Sequence, residues 1–358
     1  MKIKRIDSKV VKVPFKAPVK VAFKTITAQE IVLLRIQTDT ALEGFGEVST
    51  IKEVTGETTA DIMAFLKAVT PLLLDQETSA IETIHQIMTA FSVGHSAAKA
   101  GIDLALYDLL GKQAGLPLYR LLGGDNSTVK SDITLGIDTP EVMAMKAKKL
   151  VAAGFDELKL KVGIDDEADY TAVKAVREAV GPSVNLKIDA NQGWTVKQTL
   201  QMAARLEKYN IIAIEQPLPH WQMADNRLIR AAMPQQLMLD ESVHTPHDAI
   251  QAIRQDATDI INIKLMKSAG IFGAQAINSI AEASGVPCMI GCMAETRLGI
   301  AAALHFAAAK TNVHYVDLDS YLFFKETAYI RGGFEHEGGR YQLLEAPGIG
   351  VEINFEEV

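Results

Sequence analysis

Between residues 134 and 317, residues that are polar in all but one case recur at a steady step, each closing a short apolar, β-branched run. The series Thr134, Lys161, Asp189, Glu215, Asp240, Lys264, Gly291 and Asp317 advances by 27, 28, 26, 25, 24, 27 and 26 residues. A strand, a helix and their two loops fill such a step, and parallel strands need crossovers of this kind. Strands are predicted near 129–136, 157–162, 184–189, 211–215, 236–240, 259–264, 287–291 and 313–317, with seven amphipathic helical stretches between them. Eight parallel strands separated by helices meet the requirement of a closed barrel, whose active site lies at the C-terminal strand ends. An open doubly wound sheet would gather its polar residues at one switch point, not at nearly every strand.

The first third has a different texture. Alternating β-rich segments near 2–13, 30–38 and 41–47 precede helical patterns near 58–72, 77–91 and 95–115. The last helix closes on Ala114-Gly115-Leu116-Pro117, where Gly can cap and Pro stops continuation. The expected fold class is α/β. A (β/α)-barrel (modified TIM barrel) spans 126–320, with an N-terminal α+β capping domain over 1–125 completed by a returning C-terminal segment, 321–358.

With 48% hydrophobic residues the chain can bury a sizeable core. Its 36 basic and 44 acidic residues, net −8, argue against nucleic acid and anionic membranes as partners. The longest apolar stretch, Leu298 to Ala309, is too short for a bilayer and contains His305. Met1 to Ile6 alternates charge and apolarity, which suits a strand and not a signal segment. Cys288 and Cys292 have no second pair with which to build a zinc site. A cytoplasmic homo-oligomer with both thiols free is expected.

Asp189, Glu215 and Asp240 end successive strands, so their oxygens can converge. Converging carboxylates repel unless a cation joins them, and hard oxygen donors suit Mg²⁺. Each acid alone could equally cap the helix that follows. In Leu158-Lys159-Leu160-Lys161, alternation puts both ammoniums on one face, and the leucines want the helix-covered outside. Two adjacent cations beside a metal should lower a lysine pKa toward the range of a general base. Lys264 ends the sixth strand, four strands round from Lys161, while Lys267, the competing candidate, lies past the strand and should start a loop. Two amines facing each other over one carbon are the geometry of a 1,1-proton transfer. His220, His244 and His247 fall in loops and are expected to be solvated.

Lys159-x-Lys161, Asp189-Ala190-Asn191-Gln192-Gly193, Glu215-Gln216-Pro217, Asp240-Glu241-Ser242 and Lys264 in Ile-Lys-Leu-Met-Lys together resemble the enolase superfamily, in its muconate-lactonizing-enzyme-like subgroup. The likeness covers nearly the whole chain, including the helix Asp103 to Lys112. It implies a lysine base working with one Mg²⁺ that stabilises an enediolate. Lys161 and Lys264 are then the acid/base pair with Lys159 in support. Asp189, Glu215 and Asp240 are the metal ligands, with Asn191 and Glu241 behind them.

Asp317 and Asp319 share a face at the end of the eighth strand, and in similar proteins this Asp-x-Asp marks dipeptide epimerases, where it holds the substrate α-ammonium. A dipeptide is therefore the expected small-molecule partner. Thr134 and Asp132 are placed on the same rim. Val21–Ile26 and Val48–Gly56 resemble the two specificity loops of the cap. Related Ala-Glu epimerases carry an arginine where this chain has Lys24, and lysine lacks the planar fork that grips a carboxylate. Phe23, Ile26 and Ile51 suit an apolar second residue, and Met293, Glu295 and Arg297 are placed against the first. The alternatives are an L-Ala-D/L-Glu epimerase, an N-acylamino-acid racemase, an o-succinylbenzoate synthase, a cycloisomerase, or a catalytically silent binding protein of the same fold.

Overall fold

The computed structural model of the 358-residue chain describes residues 1–21, 24–325 and 327–358, and within 19–26 the backbone alone. Three antiparallel strands open the chain, β1 (Ile3–Val21), β2 (Lys24–Thr38) and β3 (Glu43–Ser49), in the order β1-β2-β3. The helices α1 (Lys52–Thr55), α2 (Thr59–Leu73), α3 (Ile81–Phe91), α4 (Ser96–Ala114) and α5 (Leu118–Leu121) follow.

The barrel strands are β5 (Ile133–Leu135), β6 (Glu157–Lys161), β7 (Asn185–Asp189), β8 (Ile211–Glu215), β9 (Gln236–Leu239), β10 (Ile260–Lys264), β11 (Cys288–Gly291) and β12 (Val313–Asp317). They form one parallel sheet in sequence order. Seven helices alternate with them: α6 (Pro140–Ala152), α7 (Asp166–Val180), α8 (Val196–Leu206), α9 (Met223–Ala232), α10 (Pro246–Arg254), α11 (Ile271–Ala283) and α12 (Arg297–Ala309). The run predicted as one strand near 129–136 is two. Its first part, β4 (Thr128–Lys130), pairs antiparallel with β15 (Arg340–Leu343), which also pairs with β14 (Phe334–Glu337). Farther strands β13 (Ile330–Gly332) and β16 (Val351–Ile353) pair with each other.

The seam between β5 and β12 has no ladder. It is closed by Asp132 N–H donating to the Val316 carbonyl (3.0 Å), Leu318 N–H to Ser131 Oγ (2.9 Å) and Thr134 N–H to Asp319 Oδ2 (2.6 Å). A carboxylate of the rim thus also joins the barrel's ends.

Helix α4 is buried on nearly every face, the pattern of a helix with protein all round it. Its Asp103 accepts from Ile271 N–H (2.5 Å) and Phe272 N–H (3.4 Å) at the start of α11, with His85 Nε2 2.7 Å from the other oxygen. A helix N-terminus carries unsatisfied N–H groups and partial positive charge, so a buried acid from the N-terminal part locks it there. Glu47 of β3 does the same for α12, accepting from Thr296 N–H (2.7 Å) and Gly299 N–H (3.3 Å). Asp103→Ala strips the α11 donors of their acceptor and is expected to cost about 3 kcal/mol, read as a lowered midpoint of thermal unfolding.

No helix among the described residues is long and apolar enough to cross a membrane.

Candidate active site

Strand alternation decides what enters the barrel. Lys159 and Lys161 share the inner face of β6, and Leu158 and Leu160 are buried on the other. Lys187 and Asp189 on β7, and Asn262 and Lys264 on β10, follow the same rule. At the C-terminal strand ends lies a cavity of about 1040 Å³ whose wall includes Lys159, Lys161, Asp240, Lys264, Asp317 and Asp319.

Lys159 stands at the centre. Its Nζ is 3.0 Å from Asp189 Oδ2, 2.7 Å from Glu215 Oε2 and 2.8 Å from Asp317 Oδ2. Burial opposes its charge, but Asp189, Asp317 and Glu215 outweigh burial and raise its pKa well above the ordinary lysine value. The sequence pattern predicts the opposite, a lysine depressed by its neighbour. The surrounding carboxylates win because they are closer and more numerous. Lys161 Nζ lies 2.6 Å from Asp189 Oδ2, and Lys264 Nζ lies 2.6 Å from Asp240 Oδ2. These two amines flank the row of carboxylates from β6 and β10, with three strands between them.

Among the described residues, no three acid, His or Cys side chains form a ready-made ion cage. The acids meet on ammoniums instead. Lys267, expected to begin a loop, is fully buried and donates to Asp240 Oδ1 (2.5 Å), the Asp240 carbonyl (2.5 Å) and the Asn262 carbonyl (2.9 Å). Even so, the donor set fits a hard divalent cation. Six carboxylates (Asp189, Glu215, Asp240, Glu241, Asp317, Asp319) face four ammoniums (Lys159, Lys161, Lys264, Lys267). The surplus negative charge is felt: burial and Asp240 push Glu241 up to about 7, and burial and Asp317 push Asp319 up to about 7. Glu241 Oε2 is buried and receives no hydrogen bond from the described residues, and Glu215 Oε2 and Asp240 Oδ2 are buried with only the ammoniums of Lys159 and Lys264 against them. Buried, oxygen-only and short of positive charge, this cluster suits Mg²⁺.

Neutral side chains hold the acids in place. Gln216 Oε1 accepts from Asp240 N–H (2.9 Å) and Ser242 N–H (3.1 Å), while its Nε2 donates to the Leu218 carbonyl and Ser242 Oγ, both at 2.8 Å. Its backbone sits at φ 35°, a left-handed conformation that only so many bonds would sustain. Asn262 Nδ2 donates to Glu215 Oε1 (2.8 Å), and a Cβ at Gly291 would come within 2.7 Å of Asn262 Oδ1. Asn191 Nδ2 donates to Glu241 Oε1 (3.3 Å). Asn262 is absent from the sequence-derived set, although alternation alone puts it on the face of Lys264; Gln216 enters only as part of a motif, and Lys267 only as the competitor set aside in favour of Lys264.

On the opposite rim Asp317 pairs with Lys159, while Asp319 accepts from Thr134 N–H, and Thr134 Oγ1 lies 3.5 Å from Asp317 Oδ1. Burial resists the charge of Asp317, but Lys159 overrides it and holds this carboxyl far below its usual value. Ile51 and Met293 line the cavity. Phe23 lies outside the described residues, as do the side chains of Lys24 and Ile26.

Several expected placements fail. Asp132 is not on the rim but buried beneath it, 2.7 Å from Lys187 Nζ, which also pairs with Glu157. Glu295 turns away under its own loop to accept from Met293 N–H (2.8 Å), and Arg297 donates to the Gly332 (2.9 Å) and Phe334 (2.6 Å) carbonyls. His220 and His247 are exposed, but His244 is partly buried, and burial with Lys267 nearby lowers it to about 4.

Residues 5–123 match the family described as Mandelate racemase / muconate lactonizing enzyme, N-terminal domain, and residues 142–358 match Enolase C-terminal domain-like. The chain is 42% identical over 353 residues to the hydrophobic dipeptide epimerase of Enterococcus faecalis, covering 98% of this chain and 99% of that one. It is 39% identical over 355 residues to the L-Ala-D/L-Glu epimerase of Bacillus subtilis, covering 98% and 97%. Its structure resembles the Enterococcus faecalis dipeptide epimerase complexed with Mg and L-Leu-L-Tyr, with a TM-score of 0.96 at 42% identity over 98% of this chain and 100% of that one. Matched along both of its parts, the chain belongs to the enolase superfamily, in the mandelate racemase / muconate lactonizing enzyme family.

Proposed function

We propose that the protein is a Mg²⁺-dependent isomerase, a dipeptide epimerase that inverts the α-carbon of the C-terminal residue by two-base 1,1-proton transfer. The observation that carries this reading is the Asp317/Asp319 pair, a second anionic site on the rim across from the ion-binding carboxylates, built to hold a substrate cation. Asp189, Glu215 and Asp240 would hold the ion. When bound it supplies positive charge against the charge developing on the substrate carboxylate, and it weakens the hold of Asp189 and Asp240 on the neighbouring lysine protons.

The chain's own residues do the rest. Lys161 and Lys264 each exchange a proton with the α-carbon through Nζ, one from each face. Positioned acid–base groups of this kind typically contribute about 10²–10⁴-fold. Lys159, kept cationic by its carboxylates, adds fixed positive charge beside the reacting carbon. Asn191 steadies Glu241 behind the ion site. Asp317 and Asp319 accept the α-ammonium, and Thr134 orients Asp319. Ile51 and Val54 give the cavity an apolar wall, which supports an apolar side chain in the C-terminal residue, with Phe23 and Lys24 as further contacts. In this reading residues 1–125 and 321–358 cap the barrel of 126–320. We place the protein in the cytoplasm as a homo-oligomer, in keeping with two thiols that form no disulfide.

The deciding experiment sets free dipeptides beside their N-acetylated forms in D₂O. Deuterium should enter the C-terminal α-position of the free dipeptides alone; equal exchange of the acetylated set would favour an N-acylamino-acid racemase. The ammonium site also predicts a pH profile. With Asp319 raised to about 7, its carboxyl is largely neutral below that pH and charged above it. The substrate amine loses its proton above about 8. Thus kcat/KM for a free dipeptide should rise through pH 7 and fall past 8, and Asp319→Asn should remove the rising limb.

A further inference from the structure

We propose that Glu295 is a positioning residue that sets selectivity for the substrate's first residue by bracing the loop after β11. The inference rests on the dipeptide reading, because the braced wall adjoins Asp317 and Asp319. Gly291 is in register with Asp317, so Met293, two residues on, reaches the cavity beside Asp319.

Four fastenings meet on this loop. Glu295 Oε1 accepts from Met293 N–H at 2.8 Å and fixes the turn that presents the Met293 side chain. Glu295 N–H donates to Ser320 Oγ (3.0 Å), which donates back to the Glu295 carbonyl (2.9 Å). Ser320 directly follows Asp319, so the loop and the ammonium-binding strand end move as one piece. From the N-terminal sheet, Ser49 Oγ donates to the Ala294 carbonyl (2.7 Å), and Glu47 accepts from Thr296 N–H (2.7 Å). Strand β3 then runs on to Ile51 in the same cavity.

The carboxyl of Glu295 is fitted closely. It is 1% exposed, and a Cβ at Gly299 would stand 2.5 Å from Oε2. Oε2 itself receives no hydrogen bond from the described residues. A buried acid with an unpartnered oxygen costs stability, so its place here has another reason: the acceptor it offers Met293. Glu295 touches neither the lysines nor the ion-binding carboxylates through any hydrogen bond. Its removal should therefore loosen recognition and leave proton transfer alone.

The test uses Glu295→Ala, Glu295→Gln and Ser320→Ala in the full chain, with two free dipeptides that share a C-terminal leucine and begin with alanine or phenylalanine. Glu295→Ala should raise KM on the order of tenfold, keep kcat within about twofold, and flatten the preference between the two dipeptides. Glu295→Gln keeps the acceptor and should restore KM and the preference. Ser320→Ala, a milder change, should shift KM the same way by about threefold. Calorimetric dissociation constants for the same dipeptides report on the wall without turnover. Wild-type binding without exchange would sink the epimerase reading and leave the brace testable by affinity. Unchanged affinity and preference in both Glu295→Ala and Ser320→Ala, whatever happens to the unfolding midpoint, would overturn the brace. A wild type that binds no dipeptide would overturn both.

Discussion

Alanine at Lys161 or at Lys264 is expected to abolish epimerisation, with kcat falling by about 10⁴-fold, the upper end of what a positioned base supplies. The fold should survive both changes. Without Lys161, Asp189 keeps Lys159 at 3.0 Å, and without Lys264, Asp240 keeps Lys267 at 2.5 Å. Neither variant leaves a buried acid without an ammonium, which is the usual source of severe loss when an ion pair is broken. The two variants should also differ in a telling way. A lone amine can still take the proton from its own face and return a solvent proton to that face. Each variant should therefore exchange the α-hydrogen of one diastereomer only, and the two patterns should be complementary. Proton NMR in D₂O with separate L,L and L,D dipeptides reads this directly. Loss of exchange with the same diastereomer in both variants would put the amines on one side of the carbon.

Glu215→Gln should be as damaging for a different reason. Glu215 Oε1 accepts from Asn262 and Oε2 faces Lys159 at 2.7 Å. Gln can keep the first contact, but it turns an amide toward the ammonium or toward the ion. Mg²⁺ affinity is expected to drop more than about 100-fold, with turnover falling alongside. Lys159 would retain Asp189 and Asp317, so stability should fall by about 3 kcal/mol and not more. Titration calorimetry with Mg²⁺ and chemical unfolding without it separate the two effects. Wild-type affinity for Mg²⁺ in this variant would remove Glu215 from the ion site.

Strand alternation made much of this arrangement legible from residue order. A barrel strand offers one face to helices and one to the interior, which assigns Lys159 and Lys161 inward, while Asp189, Glu215 and Lys264 are placed on the rim by their positions at the ends of strands. Alternation says nothing past the strand end. Lys267 lies beyond β10, where left-handed Ala269 and Gly270 (φ 57° and 97°) turn the chain into α11, and its side chain runs back to Asp240. Glu295 curls beneath its own loop in the same way. Other features depend on partners far along the chain. The split of the first barrel run at Ser131 and Asp132 follows from β4 pairing with Arg340–Leu343, some 210 residues away, and no local signal announces it. Asp103, read as part of a family-like helix, holds α11 across 168 residues. The raised pKa of Lys159 is hidden from the sequence for a related reason: the adjacent lysine is visible there, while the three carboxylates arrive from other strands.

The most direct measurement is mass spectrometry of a free dipeptide library incubated in D₂O with the Mg²⁺-supplemented wild-type protein. Opposed amines on a shared carbon predict a gain of one deuterium at the C-terminal α-position, together with the appearance of the inverted diastereomer and strongest uptake for apolar C-terminal residues. Libraries recovered without deuterium at that carbon, or labelled with configuration fully retained, would contradict the account.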